Sequence, residues 1–271
     1  MEPRSQHPGD ELSDPVSLPP EAWQRYARQI GPGVLSREAQ RRLSRATVLI
    51  TRAGGMGGPT ALALAAAGVG RIVLAHGGLL QLPDLNRQIL GSEAGLGQPR
   101  AAQFAARLRS LNSAVDVVAI DHEPDEAEAH RLAQQADLII SAAPNFAERF
   151  RLNFAAVTTG KPLIDAAQWG MQGSLCVLAP GKTACLRCLY PEPPEFEEHF
   201  PVLGAISMAI GALAALEAIK ILAQVGEPSW GKMWIVDAYR GHTSIVELVR
   251  SPDCRACGKS LPAEPTPESD R

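Results

Sequence analysis

The chain has 271 residues, 45% of them hydrophobic and 20% charged, which is enough apolar material for one large domain or two small ones. A formal net charge of −3, with no long run of one sign, argues against a nucleic-acid-binding surface. The N-terminus is polar and rich in proline, without the apolar segment of a signal peptide. We therefore expect a cytoplasmic protein with neither nucleic-acid nor membrane partners.

Short apolar strands and helices alternate through the first part of the chain. The pattern predicts strands at 47–51, 71–75, 115–120, 138–142 and 162–166, and helices at 59–67, 98–111, 124–135 and 146–158. Such an alternation predicts an α/β fold with a Rossmann-like, doubly wound and mainly parallel sheet.

The pattern changes after Gly173. A strand, a Cys-x-x-Cys pair and a Pro/Glu-rich loop at 190–201 precede a long Ala-rich helix and two strands, at 233–238 and 243–249. We expect these C-terminal strands to be antiparallel. The apolar stretch 202–223 is interrupted by Glu217 and Lys220, which favours a buried helix over a membrane span. We expect disordered tails at 1–20 and 259–271. The ordered region, 21–258, would then divide into halves at about 45–170 and 171–258.

Four of the five cysteines form two Cys-x-x-Cys pairs, Cys185/Cys188 and Cys254/Cys257. Four thiolates are the ligand set of a structural zinc site, provided that the fold brings the two distant pairs together. A redox dithiol is the alternative for either pair alone. The fifth cysteine, Cys176, lies in an apolar stretch and is expected to be a buried strand residue.

A glycine-rich loop follows the first strand and reads Arg-Ala-Gly-Gly-Met-Gly from Arg52 to Gly57. Gly54, Gly55 and Gly57 would let backbone amides approach a phosphate at the start of a helix. A tight strand-to-helix turn would have the same composition, so the loop alone leaves both interpretations open.

Several further segments occur in a distinctive order. They are Arg-Tyr-Ala-Arg-Gln at 25–29, Asp-Leu-Asn-Arg-Gln at 84–88, Gly-Gln-Pro-Arg at 97–100, Cys-Leu-Arg-Cys at 185–188 and Leu-Glu-Ala-Ile-Lys at 216–220. Together with the second cysteine pair, they resemble the ThiF/MoeB/HesA family of ubiquitin-activating-enzyme-like proteins over about residues 20–258. The resemblance implies a homodimer that docks a ubiquitin-like β-grasp sulfur-carrier protein. It also implies that MgATP adenylates the carrier's C-terminal glycine, before sulfur transfer.

The chain departs from the family pattern at the nucleotide. The resemblance places Arg52 at the first glycine of the loop, and His76 and Gly78 at two acids near the ribose. By the same resemblance, Pro144 occupies the position of the family's magnesium-positioning aspartate, and Arg100 that of a phosphate-contacting lysine. The family's crossover-loop cysteine falls near Glu197. Arg52 is too bulky for the close approach of the loop backbone to a phosphate. The imidazole of His76 cannot accept two hydrogen bonds from a ribose diol as a carboxylate does. Pro144 offers no side-chain oxygen to Mg²⁺.

Other features of the nucleotide site remain. The resemblance makes Arg87 a phosphate contact, and it makes Arg28 a residue that reaches into the partner's ATP site. The predicted nucleotide- or anion-binding set is Arg52, Gly54, Gly55, Gly57, His76, Asn86, Arg87, Gln88 and Arg100. This pocket would be more positive than that of the family, although each arginine taken alone could be an ordinary surface charge.

Three functions follow, in order. The chain is a degenerate paralogue, non-catalytic or weakly active, whose Arg28 completes the site of an intact partner in a heterodimer. Alternatively, it is an active adenylyltransferase with a rearranged site, in which Asp84 or Asp165 helps to hold a cation. A redox enzyme that binds a dinucleotide is the third possibility, and it is the weakest because it needs neither the cysteine pairs nor the arginine segments.

Overall fold

The computed structural model describes residues 18–195 and 200–258. The helices are α1 (Pro20–Arg25), α2 (Arg37–Arg45), α3 (Gly57–Ala67), α4 (Arg100–Leu111), α5 (Glu126–Gln135), α6 (Phe146–Thr159), α7 (Leu186–Leu189) and α8 (Gly204–Ala223). The strands are β1 (Thr47–Thr51), β2 (Arg71–Ala75), β3 (Asp116–Ile120), β4 (Leu138–Ser141), β5 (Leu163–Trp169), β6 (Gln172–Leu178), β7 (Lys232–Asp237) and β8 (His242–Glu247).

All of these strands form one sheet, in the order β3-β2-β1-β4-β5-β6-β7-β8. The strands from β3 to β5 are parallel, whereas β6, β7 and β8 pair antiparallel. The predicted α/β class, with antiparallel strands at its C-terminal end, is therefore confirmed. The chain changes winding direction between β1 and β4, and ligands of doubly wound sheets bind at such a point.

The sheet is covered by helices on both faces. Val48 and Ile50 of β1 belong to a core with α2, α3, α4 and α8, while Leu49 belongs to a second core with α5 and α6. Successive strand residues point to opposite faces, so the uninterrupted apolar run of β1 serves both layers. Cys176 is buried in β6 at 2% exposure, as expected.

Helix α8 is long and apolar enough to cross a membrane by length and composition, with a mean hydropathy of 1.9. Half of this stretch is nevertheless buried in the fold, where α8 packs on α3 and on the sheet. Its buried Glu217 accepts hydrogen bonds from the backbone and hydroxyl of Ser229. These contacts are those of a core helix. Its remaining face is exposed and apolar, and consists of Ala205, Met208, Ala209, Ala212 and Leu216.

Three features differ from the sequence-based prediction. Helices α1 and α2 were not predicted, although Ser36 caps α2 by accepting a hydrogen bond from the Ala39 amide. Asp165 lies within β5 rather than at its end, because β5 continues to Trp169. Residues 1–17 and 259–271, within the predicted tails, lie outside the described residues, and α1 already begins at Pro20.

Candidate functional site

A cavity of about 370 Å³ opens at the carboxyl ends of β1, β2 and β4. The described residues that line it are Arg52, Gly54, Gly55, Met56, His76, Asp84, Arg87, Gln88, Arg100, Ala142, Ala143, Pro144, Phe146, Arg149, Ala167, Gln168, Trp169, Glu195, Phe200 and Val202. The cavity therefore lies at the switch point of the sheet, between the glycine loop after β1 and the turn after β4.

Arg52 is the central charged residue of the glycine loop. Its backbone φ angle is +57°, a left-handed conformation that costs energy for a residue other than glycine. Its guanidinium donates from Nε and Nη2 to the two carboxylate oxygens of Glu148, at 2.7 and 2.6 Å. Its Nη1 lies 2.7 Å from Oε1 of Glu123. Arg52 is therefore already bound by two carboxylates of its own chain.

The Arg52 contacts also set the protonation of Glu148. Burial alone would raise the pKa of this carboxyl, but the hydrogen bonds and charge of Arg52 outweigh burial and hold its pKa below the usual value. Asn145 caps α6 by accepting from the Glu148 amide, and its side-chain amide donates to Oε1 of Glu148. Glu148 is therefore ionised and fixed in place.

The other arginines of the cavity are paired as well. Arg100 donates from Nη2 to Oδ2 of Asp84 at 2.5 Å, and Arg87 lies 3.6 Å from Oδ1 of the same carboxylate. Asp84 is buried and also accepts from Gln88 and from the Gln81 amide. Each lining arginine therefore has a carboxylate within 4 Å, while the expectation of a pocket more positive than that of the family stays a prediction.

The remaining lining arginine, Arg149, forms a buried ion pair with Asp165, with Nη2 2.6 Å from Oδ2. Its guanidinium also lies over the rings of Phe146, at 4.4 Å, and of Tyr190, at 5.5 Å. Asp165, which the second hypothesis offered as a cation ligand, is thus occupied by Arg149. Asp84 is likewise occupied by Arg100.

His76 lies at the inner end of the cavity and is 5% exposed. Burial, assisted by the charges of Arg100 and Arg52, lowers its pKa to about 3, so the imidazole is neutral at physiological pH. The ring packs edge-on against Phe104. Its Nδ1 has no hydrogen-bond partner among the described residues.

The glycines of the loop serve this packing. A Cβ on Gly54 would lie 3.0 Å from the His76 ring and 3.2 Å from the Gln88 side chain. A Cβ on Gly55 would lie 3.3 Å from Arg87. The glycines therefore allow the chain's own side chains to pack closely against the loop.

Aromatic residues form the outer wall of the cavity. Trp169 at the end of β5 stacks on Phe200, with centroids 5.5 Å apart and planes 15° from parallel. Gly170 donates to the Pro201 carbonyl at 2.8 Å, which ties residues 200–203 to the turn between β5 and β6. Glu195 and Phe200 thus bring part of the Pro/Glu-rich loop to the cavity, and Val202, directly after the loop, also lines it.

The structure brings together most of the predicted nucleotide-site residues. Arg52, Gly54, Gly55, His76, Arg87, Gln88 and Arg100 line the cavity formed by the described residues, whereas Gly57, Asn86 and Arg28 do not. Gly57 starts α3 beneath the Arg52 carbonyl, and the Asn86 side chain points to the Val202 carbonyl. Arg28 is exposed, near Tyr26, whose ring packs on Gly68 at the far end of α3. Glu197 lies outside the described residues.

Several site residues were not predicted from the sequence. Glu148 stands three positions after the capping residue Asn145, a spacing typical of helix starts that could have identified it. Glu123 follows β3 and Arg149 lies one turn into α6, and neither carries a local signal.

The four paired cysteines converge beside α6. The Sγ–Sγ distances are 4.0 Å for Cys185 to Cys188, 3.6 Å for Cys185 to Cys254 and 3.5 Å for Cys188 to Cys257. All four Sγ atoms lie within 4.8 Å of one another. A tetrahedron with Zn–S bonds of about 2.3 Å has edges of roughly 3.8 Å, so the cluster fits one such ion.

The cavity fits MgATP less well than the cysteine cluster fits zinc. Carboxylate oxygens are the ligands that Mg²⁺ favours, yet Asp84 and Glu148 are bound by arginines and the turn after β4 carries Pro144. The donor set at this edge of the sheet therefore disagrees with a metal–triphosphate complex.

Comparison with known proteins identifies the relatives of this fold. The ThiF family model matches residues 26–256. The heterocyst HesA protein of Trichormus variabilis is 39% identical over 248 residues, covering 91% of this chain and 93% of that protein. The adenylyltransferase and sulfurtransferase MOCS3-1 of Zea mays is 37% identical over 258 residues, but these represent only 55% of its own length.

A solved structure agrees with these relatives. E. coli MccB with MccA-N7isoASN superposes with a TM-score of 0.78 and 25% identity, covering 86% of this chain and 75% of that one. The predicted family resemblance is thus confirmed over nearly the whole described region. The chain belongs to the ThiF family and is related to its ubiquitin-like adenylyltransferases.

Proposed function

We propose that this chain is a ThiF-family protein that has kept the fold and the metal-binding cysteines but forms acyl-adenylates weakly or not at all. The observation that carries this proposal is the binding of Arg52 by Glu148 and Glu123, within the loop that active members would use for phosphate. A nucleotide would have to break these contacts, which are partly shielded from water, before it could reach the loop amides.

Two further residues support a loss of activity. His76 is neutral and buried where the resemblance places a ribose-binding acid, and it provides no carboxylate for a diol. Pro144 lines the cavity where the resemblance places the magnesium-positioning aspartate. Charge stabilisation of the triphosphate would therefore lack its usual metal.

The alternative of an active enzyme with a rearranged site has less support. It requires Asp84 or Asp165 to hold a cation, but Arg100 and Arg149 already engage these acids at 2.5 and 2.6 Å. Recruiting either acid would leave a cavity arginine without its partner.

Zn²⁺ is the metal that we assign to the cysteine cluster, because four thiolates at tetrahedral spacing form a closed site without an open coordination position. In such a site the ion stabilises the fold and performs no chemistry. It would hold α7 and residues 254–257 against α6.

Two surfaces support the expected partners. The exposed apolar face of α8 suits a second subunit, either an identical copy or an intact paralogue. A charged surface would gain little binding free energy from contact with this face. Strand β8 is the edge of the sheet and carries the exposed Ile245 and Val246. A ubiquitin-like β-grasp carrier could add to this edge by strand pairing.

Arg28 gives the partner role a specific form. It is exposed at the end of α3 remote from the glycine loop, and α3 alone is about 16 Å long, so Arg28 acts in trans if it acts at all. In a heterodimer, it would complete the ATP site of an active paralogue. The proposed setting is the cytoplasm, where reduced cysteines can hold zinc.

The test is carrier-dependent ATP–pyrophosphate exchange, with a panel of ubiquitin-like sulfur carriers and an active ThiF-family enzyme as the positive control. We expect no exchange above background from this chain. We also expect the triple variant Arg52→Gly, His76→Asp, Pro144→Asp to bind MgATP in calorimetry. The same triple variant with Pro144→Asn is its matched control for the metal ligand.

If the unmodified chain catalyses ATP–pyrophosphate exchange and Arg87→Ala abolishes it, the proposal is contradicted and the active alternative is established. The heterodimer version needs a second assay, in which the chain is co-expressed with an intact paralogue. It predicts a co-purifying complex whose exchange rate falls with Arg28→Ala.

A further inference from the structure

One face of α6 contacts the segment that carries the first pair of cysteines. The side chain of Asn153 accepts a hydrogen bond on Oδ1 from the Leu186 amide at 2.8 Å. Phe150, three positions earlier and so on the same face of the helix, lies beneath the guanidinium of Arg187. The central carbon of this guanidinium is 3.7 Å from the ring centroid. Leu186 and Arg187 are the two residues between the first pair of cysteines, so α6 lies against the stretch that spaces two metal ligands.

Asn153 is buried at 1% exposure, and its hydrogen bonding is incomplete. Its Oδ1 is engaged by Leu186, but its Nδ2 has no hydrogen-bond partner among the described residues. A buried N–H group without a partner destabilises the fold, so packing alone would favour an apolar side chain here. The hydrogen bond to Leu186, one position after Cys185, is what only a polar side chain provides.

The second pair of cysteines has contacts of a different kind. Arg250 donates from Nη2 to the Cys257 carbonyl at 2.6 Å, and the Gly258 amide donates to the Cys254 carbonyl at 2.8 Å. All of these groups belong to the stretch 250–258. The second pair thus has contacts within its own segment, whereas the first pair is fixed against α6.

The same face of α6 reaches the cavity at its N-terminal end. Tyr190, two residues after Cys188, meets the Phe146 ring with centroids 4.9 Å apart. The Arg149 guanidinium lies over both rings, 4.4 Å from that of Phe146 and 5.5 Å from that of Tyr190. Phe146 and Arg149 line the cavity. One continuous face of α6 therefore joins the metal-binding segment to the cavity wall.

We propose that Asn153 is a positioning residue of the metal site, which orients the first pair of cysteines, and that α6 couples metal affinity to the cavity wall. Groups that orient metal ligands from outside typically change metal affinity by about 10- to 100-fold. Coupling between two sites is reciprocal, so a change at the cavity end of α6 alters metal affinity although it touches no ligand. The inference rests on the assignment of zinc to the cysteine cluster, and it holds whether or not the chain forms acyl-adenylates.

The test is the Zn²⁺ affinity of the full-length protein, measured by competition with a chromophoric chelator. Asn153→Leu nearly keeps the side-chain volume but removes the acceptor, so it should weaken Zn²⁺ binding by about tenfold or more. The Co²⁺-substituted variant should keep the visible absorption of a tetrahedral thiolate site, because all four ligands remain.

Asn112→Leu is the matched control. Asn112 is fully buried and donates to the Tyr26 hydroxyl and to the Ala65 carbonyl of α3, on the opposite face of the sheet from α6. Its replacement should destabilise the fold and leave Zn²⁺ affinity unchanged. A general loss of stability is thereby distinguished from a loss of ligand positioning.

Phe146→Leu tests the coupling from the cavity end and does not depend on the folding of Asn153→Leu. It keeps an apolar side chain but removes the ring that meets Tyr190. We expect Zn²⁺ affinity to fall by about threefold or more, although Phe146 lies seven positions from Asn153 along α6.

The outcomes decide each part of the inference. It is overturned if the protein binds neither Zn²⁺ nor Co²⁺, if both variants bind Zn²⁺ as tightly as the unmodified protein, or if Asn112→Leu loses as much affinity as they do. A loss confined to Asn153→Leu supports the positioning role and overturns the coupling to the cavity. ATP–pyrophosphate exchange is not a readout here, so the proposed function stands or fails separately.

Discussion

Arg52 and Glu148, 96 positions apart in the sequence, face each other in a two-pronged ion pair at the carboxyl edge of the sheet. The pair joins the loop after β1 to the first turn of α6, and Glu123 joins it from the segment after β3. One guanidinium thus joins three chain segments at the carboxyl edge of the sheet.

The first prediction concerns this ion pair. Arg52→Met keeps the backbone strain but leaves Glu148 partly buried without its cation, so it should lower the free energy of unfolding by about 1–3 kcal/mol at pH 7. Because Arg52 depresses the pKa of Glu148, the stabilisation is present above the unfolded-state pKa of about 4.3 and is lost as the pH falls further.

Urea denaturation of both proteins at pH 7 and near pH 4 measures this difference. Its value should shrink at the lower pH, where Glu148 can take up a proton. Arg107→Met, at an exposed position on α4, is the control and should change little at either pH. An equal loss at both pH values would show that the pairing with Glu148 is not the source of the effect.

The second prediction follows from buried His76. Its pKa is about 3 in the folded protein and near 6.5 when unfolded, so the unfolded state binds the extra proton between these values. Stability should therefore decrease as the pH falls from 6 to 4, with His76 contributing about 2 kcal/mol to this decrease. His76→Phe should remove that contribution.

Chemical denaturation across this pH range compares His76→Phe with His242→Gln, a change at an exposed histidine of β8. The first variant should flatten the pH dependence of the unfolding free energy and the second should preserve it. A slope that is unchanged in His76→Phe would mean that the imidazole can ionise within the fold.

The third prediction concerns the buried pair of Arg149 and Asp165, whose side chains are 6% and 1% exposed. Arg149→Met leaves a buried carboxylate without a partner, and we expect a loss of about 3–5 kcal/mol. The double variant with Asp165→Ala should recover at least about 2 kcal/mol of this, because neither charge then remains.

Unfolding measurements on the two single variants and the double variant form a thermodynamic cycle. Arg71→Met breaks an exposed pair with Asp116 and should cost less than about 1 kcal/mol. Additive effects of the Arg149 and Asp165 changes would show that the pair is not coupled.

The fourth prediction concerns the metal. Purified protein should carry about one zinc per chain, and Cys254→Ser should lose it. Tyr190 lies two residues after Cys188, and its ring meets Phe146 with centroids 4.9 Å apart, so metal loss should also disturb the cavity wall. A structural zinc stabilises the fold by several kcal/mol. Its loss from a chain of this size should therefore lower Tm by about 10 °C or more.

Elemental analysis, thermal unfolding and near-ultraviolet circular dichroism measure these three effects. Cys176→Ala, which changes the buried cysteine of β6 outside the cluster, is the control and should keep its zinc. Full metal content in Cys254→Ser would contradict the assignment of the ligand set.

The fold was largely predictable because its signals are local. The apolar run of β1, the glycine loop and the start of α3 lie within about 20 residues, and the order of such units determines the sheet. Helix α2 was missed because it is only nine residues long and presents few apolar side chains to the core, chiefly Ala39 and Leu43.

The site was predictable in its location but not in its charge. Arg52, His76 and Pro144 could be placed by family resemblance, which assigns a position to each residue but no partner. Glu148 and Glu123 neutralise Arg52 from distant segments, and only the folded chain brings them within 3 Å. The ion pairs of Arg52 therefore depend on the fold and could not be predicted from the sequence.

The cysteine cluster has a consequence for biosynthesis. Its pairs are 69 positions apart, with α8, β7 and β8 between them, so the ion can be fully ligated only after Cys257 has left the ribosome. A stalled or truncated product would have Cys185 and Cys188 alone, as two free thiols open to oxidation. A metal held by all four thiolates would therefore be retained tightly only by a chain whose synthesis has passed Cys257.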